Sequence, residues 1–215
     1  MASRTPWKHS SKCPRATLEK SSLIHLQPLE VQHQRSILAV TAFQFTESMV
    51  GAYDEVVLSV IVPPMIDPSR PLPKAAFFPF QVGVTTASSR RHAIERWHLP
   101  HYMHDLQMEF VRTEEELAIS VRDGSAPVLD VVVTHFPPEP ARVLFNALTM
   151  NDEERYRVNI FLDGPHGEHE EETGSLTLYP HAMTEPLTLD DVSQVPFREH
   201  WFHGGIQTFE ELERI

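Results

Sequence analysis

The sequence predicts a mainly β protein: an antiparallel β-barrel or cone-like double sheet with one short inserted helix. Two observations carry that reading. Short runs rich in branched and aromatic residues recur along the chain, as strands should, and no repeating strand–helix–strand rhythm interrupts them, which favours a closed or nearly closed antiparallel system. A third is the distribution of the 18 prolines. They fall between the runs, at Pro63-Pro64, Pro68, Pro71, Pro73 and Pro137-Pro138 through Pro140, where a residue without an amide donor marks the end of a strand.

Taken in order, Ser36–Phe45 (SILAVTAFQF) and Glu55–Val62 (EVVLSVIV) are the first clear strands, and Phe78–Thr86 contains another. Residues 88–98 form the one clear helix. Ser88 or Ser89 caps it, Ala93, Ile94 and Trp97 make its apolar stripe, and it must end before Pro100, because a residue preceding proline avoids the helical region. Asp105–Val111 alternates Leu106, Met108 and Phe110 with polar neighbours. Glu116–Val121 and Pro127–Thr134 flank the Arg122-Asp-Gly-Ser125 turn, a hairpin signal. Further strands are expected around Ala141–Leu148, Tyr156–Leu162 and Ser175–Tyr179. Gly164–Gly174 is rich in acidic residues and is expected to be a solvated loop. Trp201, Phe202 and Phe209 are positioned to pack a terminal segment onto the barrel.

The 215 residues suit one domain, residues 21–215, preceded by an arm. Residues 1–20 carry Arg4, Lys8, Lys12, Arg15 and Lys20 against Glu19, a balance of +4 that leaves -16 for the remainder of a chain whose formal net charge is -12. Such an acidic body opposes nucleic acid and anionic membrane surfaces. The arm is expected to be flexible rather than a targeting segment, since it lacks an amphipathic apolar face. No apolar run reaches the roughly 20 residues that span a bilayer. With the single cysteine, Cys13, there is no intramolecular disulfide. Cytoplasm is the expected location, and a homo-oligomer is compatible with the composition.

The stretch Glu95-Arg-Trp-His-Leu-Pro-His-Tyr-Met-His104 concentrates the candidate chemistry. Pro100 breaks the chain after the helix and aims the next side chains in a defined direction. His101 is a candidate general acid or base, since imidazole works near neutral pH with little tuning, and Tyr102 a candidate donor to a substrate oxygen. Upstream, Tyr53 and Glu55 stand at a strand start. An inward-facing Glu55 would have a raised pKa and could carry a proton; otherwise it is a structural carboxylate held by loop amides or Arg96. Glu95 has ready partners in Arg90, Arg91 and Arg96. Tyr53, Glu95, Arg96 and His98 complete the expected substrate-binding set.

Glu95, Pro100 and the pair that follows stand where the acetoacetate decarboxylase family carries its E-x-x-x-x-P-K-K signature, a partial resemblance that lacks the lysine pair, and Tyr53-Asp-Glu55 resembles that family's Y-x-E strand entry. The resemblance runs in order from about Ser36 to Thr134. It implies a barrel cavity for a small oxygenated molecule, with the side chains after the proline entering beside Glu55. His101 and Tyr102 occupy the positions of the family's two lysines, one of which forms a Schiff base with a β-keto acid. Neither imidazole nor phenol can condense with a ketone, so the imine route is closed there. Lys74, in Pro71-Leu-Pro-Lys-Ala75, is the only lysine of the body.

Other templates are lacking: the chain has no G-x-S-x-G elbow, P-loop or dinucleotide fingerprint. His98, His101 and His104 recur every three residues, but Pro100 interrupts any helix that would align them and no zinc motif is present. His166 and His169 are expected to bind divalent ions only adventitiously, and His200 and His203 to pack at a terminus. No metal and no cofactor are therefore expected. The functional expectation is a small-molecule enzyme using His101, Glu55 and Tyr102 for proton transfer on a keto, enol or polyketide-like substrate, by dehydration, isomerisation, cyclisation or lyase chemistry. The alternative is a non-catalytic barrel that binds a small apolar ligand.

Overall fold

In the computed structural model, residues 27–32 and 35–215 are described; the expected arm, residues 1–20 with Cys13, lies outside them. The described residues form β1 (Glu30–Gln32), β2 (Arg35–Ser36), β3 (Leu38–Phe45), β4 (Tyr53–Val62), β5 (Ala75–Val84), α1 (Ala87–Trp97), β6 (Gln107–Arg112), β7 (Glu116–Asp123) and β8 (Ala126–Thr134). Then follow β9 (Glu139–Asn151), β10 (Glu154–His169), β11 (Ser175–Leu178), a 3-10 turn at Leu189–Asp191, β12 (Glu199–Phe202), β13 (Ile206–Phe209) and β14 (Glu213–Arg214). The fold is mainly β, with a strongly curled half-barrel sheet and a second sheet, as the sequence predicts. Among the described residues no helix is long and apolar enough to cross a membrane.

The curled sheet runs β12-β10-β9-β5-β4-β3, and the second β11-β8-β7-β6. Neighbours are antiparallel except where β5 and β9 run parallel over Ala75–Phe77. β4 explains how the sheets join. Its even residues Val56 and Leu58 are wholly buried in one core with Phe80, Ile119, Val121, Val128, Leu129 and Met183, so this face packs on the second sheet. Its odd residues, Tyr53, Glu55, Val57 and Ser59, point to the opposite face, as strand alternation requires. Val62, Ala76, Phe78 and Leu148 close a smaller core. At the β7–β8 hairpin, the expected turn narrows to Gly124-Ser125, with Gly124 at φ 57°, a conformation glycine adopts at no steric cost.

Three expectations need correction. Gly164–Gly174 is not a loop throughout: β10 continues to His169, paired with β9 on one edge and with β12 over His166–His169 on the other. Glycine and charge hid the strand, yet the glycine has a packing reason. A Cβ on Gly167 would lie 2.3 Å from the Phe136 ring, so only glycine lets that ring approach. The helix also begins earlier than expected. Thr86, not Ser88 or Ser89, caps α1 by accepting from the Ser89 amide at 3.3 Å. Its stripe is narrower too, with Ala93 buried but Ile94 exposed. The terminal segment packs as anticipated: β14, β13 and β12 pair in turn along the free edge of β10.

Candidate active site

The site grows out of the end of α1. His98 caps the helix in the left-handed region at φ 53°, its amide donating to the Ala93 and Ile94 carbonyls. The chain then turns through Pro100 and lies along β5: the Val82 amide donates to Pro100 O at 2.9 Å, and the Tyr102 amide to Val82 O at 2.8 Å. His101 is thereby bridged to Val82. Bridged residues present their side chains on the same face, so His101 joins a row with Val82 and Val57. The adjoining row on that face is Val84, Glu55 and Phe43. Two rows of one sheet therefore carry both His101 and Glu55.

His101 is an unusual imidazole. Both ring nitrogens are shielded from solvent, and neither has a hydrogen-bond partner among the described residues. Leaving such a group unsatisfied costs about 1–3 kcal/mol. Burial first, and then the Arg90 guanidinium, push its pKa from 6.5 down to about 4, so the ring is neutral at pH 7. Arg90 reaches down from α1 and pairs with Asp105 Oδ1 at 2.6 Å, which leaves most of its five donors uncommitted to that contact. On the strand side, burial pushes the Glu55 carboxyl from 4.5 up to about 7. Tyr53, two residues away on the same face, is raised by burial and then by the Glu55 charge, and its ring packs on Phe45 at 4.8 Å.

Tyr102 points the other way. It packs against the core between the sheets and donates to Asp123 Oδ2 at 2.5 Å, and that bond, with burial and the Asp123 charge, raises its pKa to about 12. His181 packs edge-on to its ring at 5.1 Å and approaches the same Asp123 oxygen at 3.4 Å. The expectation that both side chains after the proline enter one cavity is therefore not met, because consecutive residues of an extended segment face opposite ways.

The remaining expected residues lie around the helix end. Glu95 and Arg96 are exposed, with Arg96 stacked over the Trp97 ring at 5.1 Å rather than bonded to Glu55. His98 packs against Tyr156 at 4.9 Å. Lys74 precedes β5, at the far end of that strand from Val82, and is ion-paired with Glu168. The residue that sequence reasoning missed is Arg90, read there only as a neighbour for Glu95. Its actual partner, Asp105, is fifteen positions away, beyond any local spacing rule.

No model of a known protein family matches this chain, and no curated protein sequence does. Solved structures do match. The chain is similar to acetoacetate decarboxylase from Legionella pneumophila at 16% identity, over 83% of this chain and 73% of that one, with a TM-score of 0.54. A second acetoacetate decarboxylase structure is similar at 11% identity over 93% and 81%, with a TM-score of 0.55. The likeness carried in the sequence by Tyr53–Glu55 and Glu95–Tyr102 thus extends to the architecture: this is an acetoacetate decarboxylase-like fold.

Proposed function

We propose that the protein is a small-molecule enzyme that moves protons on a keto, enol or polyketide-like substrate without a lysine imine. The supporting observation is the buried, doubly unpartnered His101 ring beside Arg90, on the sheet face that also carries Glu55. A carboxyl with a pKa of about 7 is matched to proton transfer near neutral pH, where the product of correct protonation state and driving force is greatest. Glu55 is therefore the proton carrier. His101, neutral at that pH, donates a hydrogen bond to the carbonyl oxygen, and Arg90 offsets negative charge as the enolate forms. The proton leaves the carbon next to the carbonyl for Glu55 and returns to the substrate at a second atom. Depending on where it returns and what departs, the outcome is isomerisation, dehydration or cyclisation. Carbon–carbon cleavage instead starts with Glu55 taking the proton of a β-hydroxyl, the bond to the α-carbon breaking to leave the enolate, which the same carboxyl then protonates. Tyr102 acts through Asp123 by fixing the segment that holds His101.

The test needs no natural substrate. A panel of ketones, β-keto acids and β-hydroxy ketones is incubated with the enzyme in deuterium oxide, and label entering next to the carbonyl is followed by NMR against a buffer blank. Enzyme-dependent exchange that is lost in both Glu55→Gln and His101→Phe is the expected result. Ligand binding with no exchange or turnover across the panel would instead support the non-catalytic barrel.

A further inference from the structure

A second constellation lies across the β10–β12 edge, away from the helix junction. His166 and Glu168 are two apart on β10 and so share a face, and the strand register sets His200 of β12 directly opposite Glu168. One nitrogen from each ring and one carboxylate oxygen fall within 4.8 Å of one another. His200 Nδ1 is 3.2 Å from Glu168 Oε2 and 3.3 Å from His166 Nε2.

We propose that His166, Glu168 and His200 form a binding site for a divalent transition-metal ion of the zinc class. Two imidazoles and a carboxylate are a donor set that zinc takes, leaving a fourth position for a small molecule. With bonds of about 2.0–2.2 Å, ligand atoms at tetrahedral corners stand about 3.3–3.6 Å apart, close to the two separations seen. The one Nδ1 of His200 faces both His166 Nε2 and the Glu168 oxygen on which the Lys74 ammonium already sits. Phe202 stacks on His166 at 4.3 Å and fixes the ring. Glu168 also lines an open cleft of about 170 Å³ with His169, Glu170 and Arg198. Lys74 competes, because its ammonium already pairs with Glu168. An arriving metal must share that carboxylate or displace the lysine, whose side chain is partly exposed.

The test is a cobalt(II) titration of the metal-stripped full chain carrying Cys13→Ser, which removes the one thiol, followed by zinc competition. One equivalent of cobalt giving intense tetrahedral visible bands, displaced by zinc, is expected. His200→Gln and Glu168→Gln, both at exposed positions, should each weaken affinity at least 100-fold, His166→Gln likewise if it folds, and Lys74→Met should tighten it several-fold. Zinc should raise the melting temperature of the Cys13→Ser protein and not that of His200→Gln. Pale octahedral bands, no binding, or an affinity unchanged in His200→Gln and Glu168→Gln would overturn the site.

Discussion

Two histidines of this protein, the buried His101 and the partly exposed His200, have their pKa values pushed down to about 4, in each case first by desolvation. Their surroundings differ in kind. His101 has no hydrogen-bond partner for either nitrogen among the described residues, and a cation stands beside it. His200 has a second imidazole and a carboxylate gathered at one nitrogen. The first arrangement leaves a neutral ring free to meet a substrate; the second converges donors on one point. Desolvation alone does not tell them apart. What separates a reacting imidazole from a ligating one is the number and convergence of its neighbours, and variants at the two places should fail differently.

The largest effect is expected at His101. His101→Phe keeps an aromatic ring of similar bulk, removes both unpartnered nitrogens and should leave the fold intact. Turnover should fall about 100–10,000-fold, with a smaller change in ligand affinity, whereas cobalt binding at the β10–β12 edge should not change. Near-normal turnover, with folding verified by circular dichroism, would move the chemistry elsewhere.

Glu55→Gln should give the next largest effect, read first as stability against pH. Because burial raises the folded pKa of Glu55 from 4.5 to about 7, the folded state holds this proton more tightly than the unfolded chain. The associated stability is present below pH 4.5 and is lost as pH rises through 7, on the order of 3 kcal/mol in total. His101 has the opposite sign: its lowered pKa costs stability as pH falls from 6.5 towards 4. The two slopes offset one another across the overlap. Replacing Glu55 by Gln removes one of them, so the variant should be more stable than the parent at pH 8 and should lose stability more steeply on acidification. Chemical denaturation at pH 4.5, 6 and 8 measures this. A variant less stable at pH 8 would mean that the ionised carboxylate is a structural anchor.

Trp97→Ala probes the helix that carries Arg90. Trp97 is half-buried, packed at a tilt on Phe209 of β13 at 5.0 Å, so the loss should be roughly 2 kcal/mol, below the 3–5 of a fully buried aromatic. Thermal denaturation should show the drop. An unchanged melting temperature would detach the helix from the sheet and Arg90 from His101.

These contrasts also show what could be read before folding. Alternating and branched runs announced β3 to β9, because burial on one face leaves a period of two in the sequence. The latter half of β10 left no such trace: Gly164, Pro165 and Gly167 are poor strand residues, kept there by close approaches such as that of Phe136 to Gly167. With that segment read as loop, His166 and Glu168 had no common face, and their meeting with His200 depends on a register set 34 residues away. At the first site, motif spacing located His101 and Glu55, but their common face comes from the bridge to Val82. The opposite turn of Tyr102 follows from the same bridge, and no spacing rule indicated it.

The smallest expected effect is none, and it concerns Lys74. Imine formation needs a neutral amine within reach of the bound ketone, and residues 36–215 contain no other lysine. Lys74 is paired with Glu168, and β5 separates it from the His101 row at Val82. To condense with a keto acid it would have to release both its proton and its carboxylate partner. Incubation with acetoacetate and borohydride should therefore leave no added mass on peptides from residues 36–215. The same should hold in Glu168→Gln, which frees the amine but leaves it far from Arg90. An adduct on Lys74 in the parent protein would restore imine chemistry and place the reacting centre beside the β10–β12 edge. An adduct only in Glu168→Gln would show that the carboxylate alone had kept the lysine unreactive.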